Sequence, residues 1–416
     1  MTGPGMRPLA EMQAEILDSV ALLPTKRIGL REVLGLVLVS DVTAPHDLPP
    51  FPNSAMDGYA VRAADVIEVP IELPVLESVA AGAVATRTVE PGTAIQIMTG
   101  APMPDGADAV VKVEDTEVIE GAVRINAGVS VGEAVRPAGG DVIAGTTVLT
   151  RGTRLGPADI GVLSSLGVAW PEVSKRPVVG IMSTGDEIVP PETTNLEPGK
   201  IRDANRFLLR GVLEEFGAVI VDFGIASDDP AELRRVLAHA AQEVDVVVSS
   251  GGVSMGEYDV VKLVFADVGD VQFHRVAMQP AKPLGFGTVG GKPFFGLPGN
   301  PVSVVVAFEQ FLRPALLAMM GADRLFRPRV VGVLDDPVRT DPAKEVFLRA
   351  EATYADGTWS ARLSGGQSSN VLSALAAANT FAVVPVGTGA LEVGARVELE
   401  MFRWPETRSR TEVLDG

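Results

Sequence analysis

The chain has 416 residues, 46% of them apolar and 21% charged, a balance that suits a soluble protein with real cores and, by length, about three domains. It contains no cysteine, which excludes disulfides, thiolate nucleophiles and cysteine-based zinc or iron–sulfur sites. A formal net charge of −18 argues against non-specific nucleic-acid binding, which needs clustered Lys and Arg.

The opening stretch MTGPGMRPLAEMQAEILDSVALL carries acidic residues within its apolar pattern and has no signal-peptide layout. No stretch is apolar for long enough to suggest a bilayer span, so the expectation is a cytoplasmic protein with no membrane partner. Met12, Ile16, Val20 and Leu23 recur at helical spacing and predict an amphipathic helix over 8–23. From about 41 to 145 the texture is that of a small β domain: AIQIMTG, DAVVKVED and TEVIEGAVRINAG alternate with Gly/Pro-rich turns, and Glu120-Gly121 suits a hairpin. No fixed-period repeat interrupts it.

Between about 175 and 322, predicted strands and helices alternate. Strands are expected at 178–183, 219–224, 245–249, 271–276 and 294–296, with helices at 205–216, 230–242, near 260–265 and over 301–320. This order predicts a largely parallel sheet with helices on both faces. After about 323 the β texture returns, with a hairpin expected at Asp356-Gly357 and one helical patch over 370–379.

Ligands of open α/β sheets bind beyond the carboxyl ends of the strands. Here those ends read STGDE (183–187), SDD (227–229), SGGVSMGEYD (250–259), MQPAKP (278–283) and LPGNPVS (297–303). Asp186, Glu187, Asp228, Asp259 and Lys282, set among glycines, suit a nucleotide with a divalent ion. Asn300 fits a helix N-cap, Pro301 the first helical position and Ser303 the first turn, a start that favours anions through free N–H groups. Taken singly each loop is an ordinary turn, and Asp228-Asp229-Pro230 is a good helix start without a ligand. Five polar loops on successive strand ends of one sheet point instead to a phosphate-and-metal site. Three separated histidines (His46, His239, His274) suggest no histidine cage.

Several stretches together resemble the MoeA family, the molybdenum insertion enzymes of molybdenum-cofactor synthesis, which includes the E domain of gephyrin. They are DLPPFPNSAMDGYAV (47–61), TGAPMPDGADAVVKVED (99–115), RPAGGDVIAG (136–145), STGDE, IRDANR (201–206), SGGVSMGEYD and LPGNPVS, and the match runs from about residue 8 to 400. The resemblance implies a multidomain α/β plus β fold in four parts. These are a discontinuous linking domain (7–51 and 141–174), an inserted β domain (52–140), a central molybdopterin-binding-like α/β domain (175–322) and a C-terminal β domain (323–405). It implies a homodimer whose active site lies between the α/β domain of one subunit and the β domain of the other.

The implied reaction takes adenylylated molybdopterin and molybdate, hydrolyses the phosphoanhydride with Mg²⁺, and releases AMP and molybdenum cofactor. The upstream adenylyltransferase is a further candidate partner. By resemblance, Asp57, Asp141, Glu187, Asp259 and Lys282 serve catalysis, and Asp186, Asp228 and Asp259 organise the metal. Which carboxylate positions the attacking group stays open. Gly251, Gly252 and Ser254 would receive the nucleotide phosphate, with Thr99, Pro298, Asn300 and Pro301 also at the substrate. Molybdate is a hard oxyanion that needs N–H, O–H and cationic donors, and Lys282, Ser303, Arg349 and one of Ser368 or Ser369 match the family's donors. A chain without cysteine offers molybdenum no soft ligand, so the sulfur must come from the substrate's dithiolene.

One departure stands out. Where the family usually has lysine-proline-glycine-lysine-proline, this chain has Gln279-Pro280-Ala281-Lys282-Pro283. Gln279 still donates a hydrogen bond but brings no charge, and a charge-assisted bond is about twice as strong as a neutral one. Two rival readings share the same residues: a nucleotide-dependent adenylyltransferase or pyrophosphatase, and a non-catalytic dimeric scaffold.

Overall fold

The computed structural model describes residues 5–251, 264 and 267–406. Gly252, Ser254, Asp259 and all but Val264 of the helix expected near 260–265 lie outside the described residues; Val264 is helical.

Helix Leu9–Ser19 buries Leu9, Met12 and Ile16, the face its spacing predicts, and ends four residues short of the expected boundary. The segments that follow pair with chain more than a hundred residues away: Thr25–Arg27 lies antiparallel to Glu172–Ser174, and Val42–Thr43 to Thr147–Leu149. Between them sits a six-stranded sheet running, in spatial order, Ala109–Lys112, Gly58–Val61, Ala94–Ile97, Ile71–Val79, Ala122–Ile125 and Thr116–Ile119. Its two faces bury separate apolar clusters, one around Tyr59, Leu73 and Val123, the other around Ile95, Ile97 and Val110. The hairpin expected at Glu120-Gly121 is present, with Ile119 opposite Ala122 and Gly121 in the left-handed region.

The central sheet has six strands: β1 (Val178–Thr184), β2 (Val219–Ala226), β3 (Val246–Ser250), β4 (Gly269–Arg275), β5 (Pro283–Val289) and β6 (Lys292–Leu297). Their spatial order is β2-β1-β3-β6-β5-β4. The first four are mutually parallel, whereas β5 runs antiparallel to both β6 and β4. Strand β5 is absent from the sequence expectation because PLGFGTV reads as glycine-rich connection. Gly287 is needed there, since a Cβ would fall 1.8 Å from the Asp270 carbonyl oxygen of β4. Helix Asn205–Phe216 covers one face through Leu209, Leu213 and Phe216, and helix Pro230–Glu243 the other through Leu233, Leu237 and Ala240.

The helix expected over 301–320 forms, but Phe308–Leu312 is a π turn between helical pieces Pro301–Ala307 and Arg313–Met319. Pro314 explains this: without an N–H it cannot serve the carbonyl of Gln310, which instead accepts from Gln13 Nε2 at 3.2 Å. This helix is long and apolar enough to cross a membrane by composition alone, yet it is buried as the central core helix.

In the C-terminal region five strands close on themselves, in the order Glu345–Ala355, Thr358–Leu363, Arg329–Leu334, Arg396–Met401 and Thr380–Val384, the last pairing back to the first. The hairpin at Asp356-Gly357 forms, with both residues at positive φ. A two-residue strand, Met278–Gln279, leaves the central sheet and pairs with the start of Glu345–Ala355. That pairing fastens the two sheets together at the site.

Candidate active site

The carboxyl end of β1 turns at Gly185, where φ is 134° and a Cβ would meet the Glu187 carboxylate at 2.4 Å. Asp186 and Glu187 are thereby left exposed at the sheet edge. The end of β2 leads to Asp228 and to Asp229, which accepts from Ala231 N–H at 3.0 Å and Glu232 N–H at 2.9 Å as the cap of the next helix. Capping thus falls to Asp229 and leaves Asp228 free for another partner. Asp186 N–H donates to Asp228 Oδ2 at 3.2 Å, and Asp228 N–H donates to Asp186 Oδ1 at 3.1 Å. This reciprocal latch puts two carboxylates side by side, and Lys200 Nζ reaches only the Asp186 carbonyl, at 2.7 Å. Among the described residues no third metal-ready carboxylate or histidine joins them. Two hard oxygen donors with open positions fit Mg²⁺, which is bound through one or two carboxylates plus substrate phosphates.

The next two strand ends are tied together by Asn205. Its Nδ2 donates to Ser250 Oγ at 2.8 Å at the end of β3 and to the Gly299 carbonyl at 2.7 Å after β6, while its buried Oδ1 has no hydrogen-bond partner among the described residues. Gly251 is required where it stands: φ is 97°, and a Cβ would lie 2.4 Å from the Thr184 carbonyl oxygen. Thr184 Oγ1 is likewise buried without a partner among the described residues. The IRDANR stretch belongs to the motifs that resemble the family, yet the sequence reading gives Asn205 no role.

A cavity of about 600 Å³ opens where the MQPAKP and LPGNPVS loops meet the C-terminal sheet. Its walls hold Gln279, Lys282, Pro298, Asn300 and Ser303 from the central region, and Lys344, Gln367, Ser368 and Ser369 from the C-terminal one. No carboxylate among the described residues lines it. Partial burial, and then the positive charges of Arg275 and Lys344, hold the Lys282 ammonium below its usual lysine value, with Asp341 opposing. Ala281 occupies the glycine-type conformation at φ 67°. The chain thus keeps the turn that glycine would make, at the expense of some strain.

The helix start at Asn300 offers less than its sequence suggests. Asn300 is the N-cap but makes no side-chain cap bond, Pro301 has no N–H and does not line the cavity, and Val302 N–H donates to the Ser369 carbonyl at 3.2 Å. Anion binding therefore falls to side chains. Arg349 is 1% exposed. Its Nη2 donates to the carbonyls of Gly366 at 2.8 Å and Ser368 at 3.1 Å, which shapes the loop that carries Ser368 and Ser369. Its Nε has no partner among the described residues, and burial lowers its pKa to about 10. Arg349 opens onto a neighbouring cavity of about 210 Å³ shared with Gln279, Pro280 and Gln367.

The remaining expected residues stay apart from this cluster within one chain. Asp57 accepts from Thr99 N–H and Oγ1, each at 2.7 Å, which holds its carboxyl below the usual range. Asp141 is exposed at the base of the β domain, its N–H on the Leu48 carbonyl at 3.0 Å. No residue between 52 and 140 lines the cavity. Lys344 and Gln367 were not legible as site residues, because in the sequence they read as ordinary polar positions beside strands.

Three family models cover most of the chain: the MoeA N-terminal region (domain I and II) at residues 7–167, a probable molybdopterin binding domain at 180–318, and the MoeA C-terminal region (domain IV) at 331–402. Molybdopterin molybdenumtransferase 2 of Mycobacterium tuberculosis (strain H37Rv) is 40% identical over 407 residues, 95% of this chain and 99% of that protein. The molybdopterin molybdenumtransferase of Haemophilus influenzae is 32% identical over 401 residues, again 95% and 99% of the two chains. Among solved structures, the molybdopterin biosynthesis MoeA protein of Pyrococcus horikoshii OT3 superposes with a TM-score of 0.81 at 31% identity, covering 95% of this chain and all of that one.

Proposed function

This chain belongs to the MoeA family of molybdopterin molybdenumtransferases, and from that premise we propose that it uses adenylylated molybdopterin and molybdate, hydrolysing the phosphoanhydride with Mg²⁺ and releasing AMP. One observation carries the reading. In a protein of net charge −18, the large cavity at the sheet edge is walled by two lysines, three serines and amides, without one carboxylate among the described residues. Such a cavity favours an anion locally against the field of the whole molecule. Arg349, a buried cation with no carboxylate partner among the described residues, adds to that preference.

In this reading Lys282, Ser303 and the 368–369 hydroxyls hold molybdate, and the cavity's volume leaves room for part of the pterin beside it. Asp186 and Asp228 would hold Mg²⁺, which supplies charge neutralisation at the phosphoanhydride and lowers the barrier to its hydrolysis. Water adds to the phosphorus, the bridging oxygen leaves, and the products are AMP and the molybdopterin phosphate. The exposed Glu187 beside the latch is placed to accept the proton of that water. Asp57, fixed as a charged acceptor by Thr99, would complete the site from the β domain of a second subunit in a cytoplasmic homodimer.

The experiment incubates the purified chain with adenylylated molybdopterin, Mg²⁺ and molybdate, and assays AMP and active cofactor together. Both should appear in step. AMP without cofactor would favour a pyrophosphatase, and neither product would favour a scaffold.

A further inference from the structure

The charge missing at position 279 has a counterpart in another part of the chain. Strand Met278–Gln279 runs parallel to the start of Glu345–Ala355, with Met278 level with Glu345 and Gln279 level with Val346. Glu345 N–H also donates to the Ala277 carbonyl at 2.9 Å. Lys344 sits in the bend immediately before that strand, one residue from the pairing that holds Gln279. Both line the same cavity.

The ammonium of Lys344 is held in place. Its Nζ lies 2.7 Å from Asp341 Oδ2 and its side chain is 17% exposed, while Asp341 Oδ1 accepts from Ala343 N–H at 3.0 Å. Across the cavity Lys282 feels the positive charge of Lys344. Even with Lys344 paired to Asp341, the two ammonium groups repel each other across the cavity, and an anion placed between them relieves that repulsion.

We propose that Lys344 is a second binding cation for the tetrahedral oxyanion, supplying from the C-terminal sheet the charge that Gln279 does not bring. The inference rests on the reading of this cavity as a molybdate site. It makes oxyanion affinity depend on the junction between two sheets rather than on one loop.

The test is calorimetric titration of the full chain with molybdate, at low and high salt, for wild type, Lys344→Gln, Lys344→Arg and the double variant Gln279→Lys/Lys344→Gln. A hydrogen bond to a charged group is worth enough that Lys344→Gln should weaken binding roughly tenfold and flatten its salt dependence. Lys344→Arg should stay within about threefold, since the charge is kept. The double variant should regain most of the loss, because the cation returns from the opposite strand. Thermal melting checks that each variant is folded. If Lys344→Gln binds like wild type, the inference is overturned while the molybdate reading stands. If the double variant stays as weak as Lys344→Gln, Lys344 acts by tethering the 341–344 turn and the inference is again overturned. Folded wild type that binds no molybdate overturns both.

Discussion

Two regions of the same sheet edge hold opposite charges in opposite settings. Around Lys282 and Lys344 the charges are positive and set in a cavity that no carboxylate among the described residues lines. At Asp186, which is exposed, and Asp228, which is half-buried, they are negative, each carboxylate tied to the other's backbone N–H. Exposed charges interact weakly across water, whereas charges in a cavity walled by protein focus their field. The first region can therefore hold an anion directly. The second attracts an anionic phosphate only by way of a cation. A strongly acidic protein can accommodate an anionic substrate by keeping its carboxylates out of one pocket, with no need for a basic surface.

Asp228→Asn breaks the acidic region most directly. It keeps the acceptor for Asp186 N–H but removes a charge offered to Mg²⁺, so AMP release should fall by about a hundredfold with melting temperature nearly unchanged. Molybdate affinity, set at the other region, should hardly move. Turnover at the wild-type rate would place the metal elsewhere.

A second experiment asks whether the acidic region is completed by another subunit. Asp57→Ala and Asp228→Ala proteins should each be inactive. Mixed so that subunits exchange, heterodimers should regain one intact site of two, giving about a quarter of wild-type activity after random assortment. Confirmed exchange with no recovered AMP release would mean that the site does not span subunits.

Gln279→Lys sharpens the cationic region instead. A unit-charge contact at about 4 Å is worth roughly 4 kcal/mol at an effective dielectric near 20, before the cost of burying a new ammonium beside Lys282 and Lys344. The net result should be a tightening of a few-fold for molybdate, fading at high salt, with nucleotide affinity unchanged. A shift in nucleotide affinity alone would put Gln279 against the phosphates.

The smallest effect is in pH. Lys282 loses its proton below the usual lysine range, since burial and neighbouring Arg275 and Lys344 disfavour the charged form while Asp341 opposes them. Molybdate affinity should accordingly begin to decline, as pH rises, earlier than an unperturbed lysine would allow. Titrations in a pH series measure this, and an affinity flat through the ordinary lysine range would remove Lys282 from the anion.

Much of the architecture was readable from local pattern. The period of Leu209, Leu213 and Phe216 defines a helix face, and Glu120-Gly121 and Asp356-Gly357 supply the backbone that two-residue hairpins require. Residues 205–216 form the expected helix with no change of boundary. The acidic region was equally legible, because Asp186, Glu187 and Asp228 follow strands whose ends must share an edge.

Strand β5 was not legible, because its glycines serve close approach to β4, a contact that exists only once the sheet is assembled. Nor was the π turn, whose cause, Pro314, acts together with Gln13 nearly three hundred residues earlier in the chain. Lys344 belongs with these. Its place in the same cavity as Gln279 follows from a two-residue strand pairing across sheets that begins at the next residue, and so short a pairing has no periodicity to read. Sequence by itself determined which local elements form and which polar loops end the strands, since both depend on residues close together. Only the tertiary structure decided which distant charges face one another, because that depends on long-range register, and register is selected by packing the assembled whole.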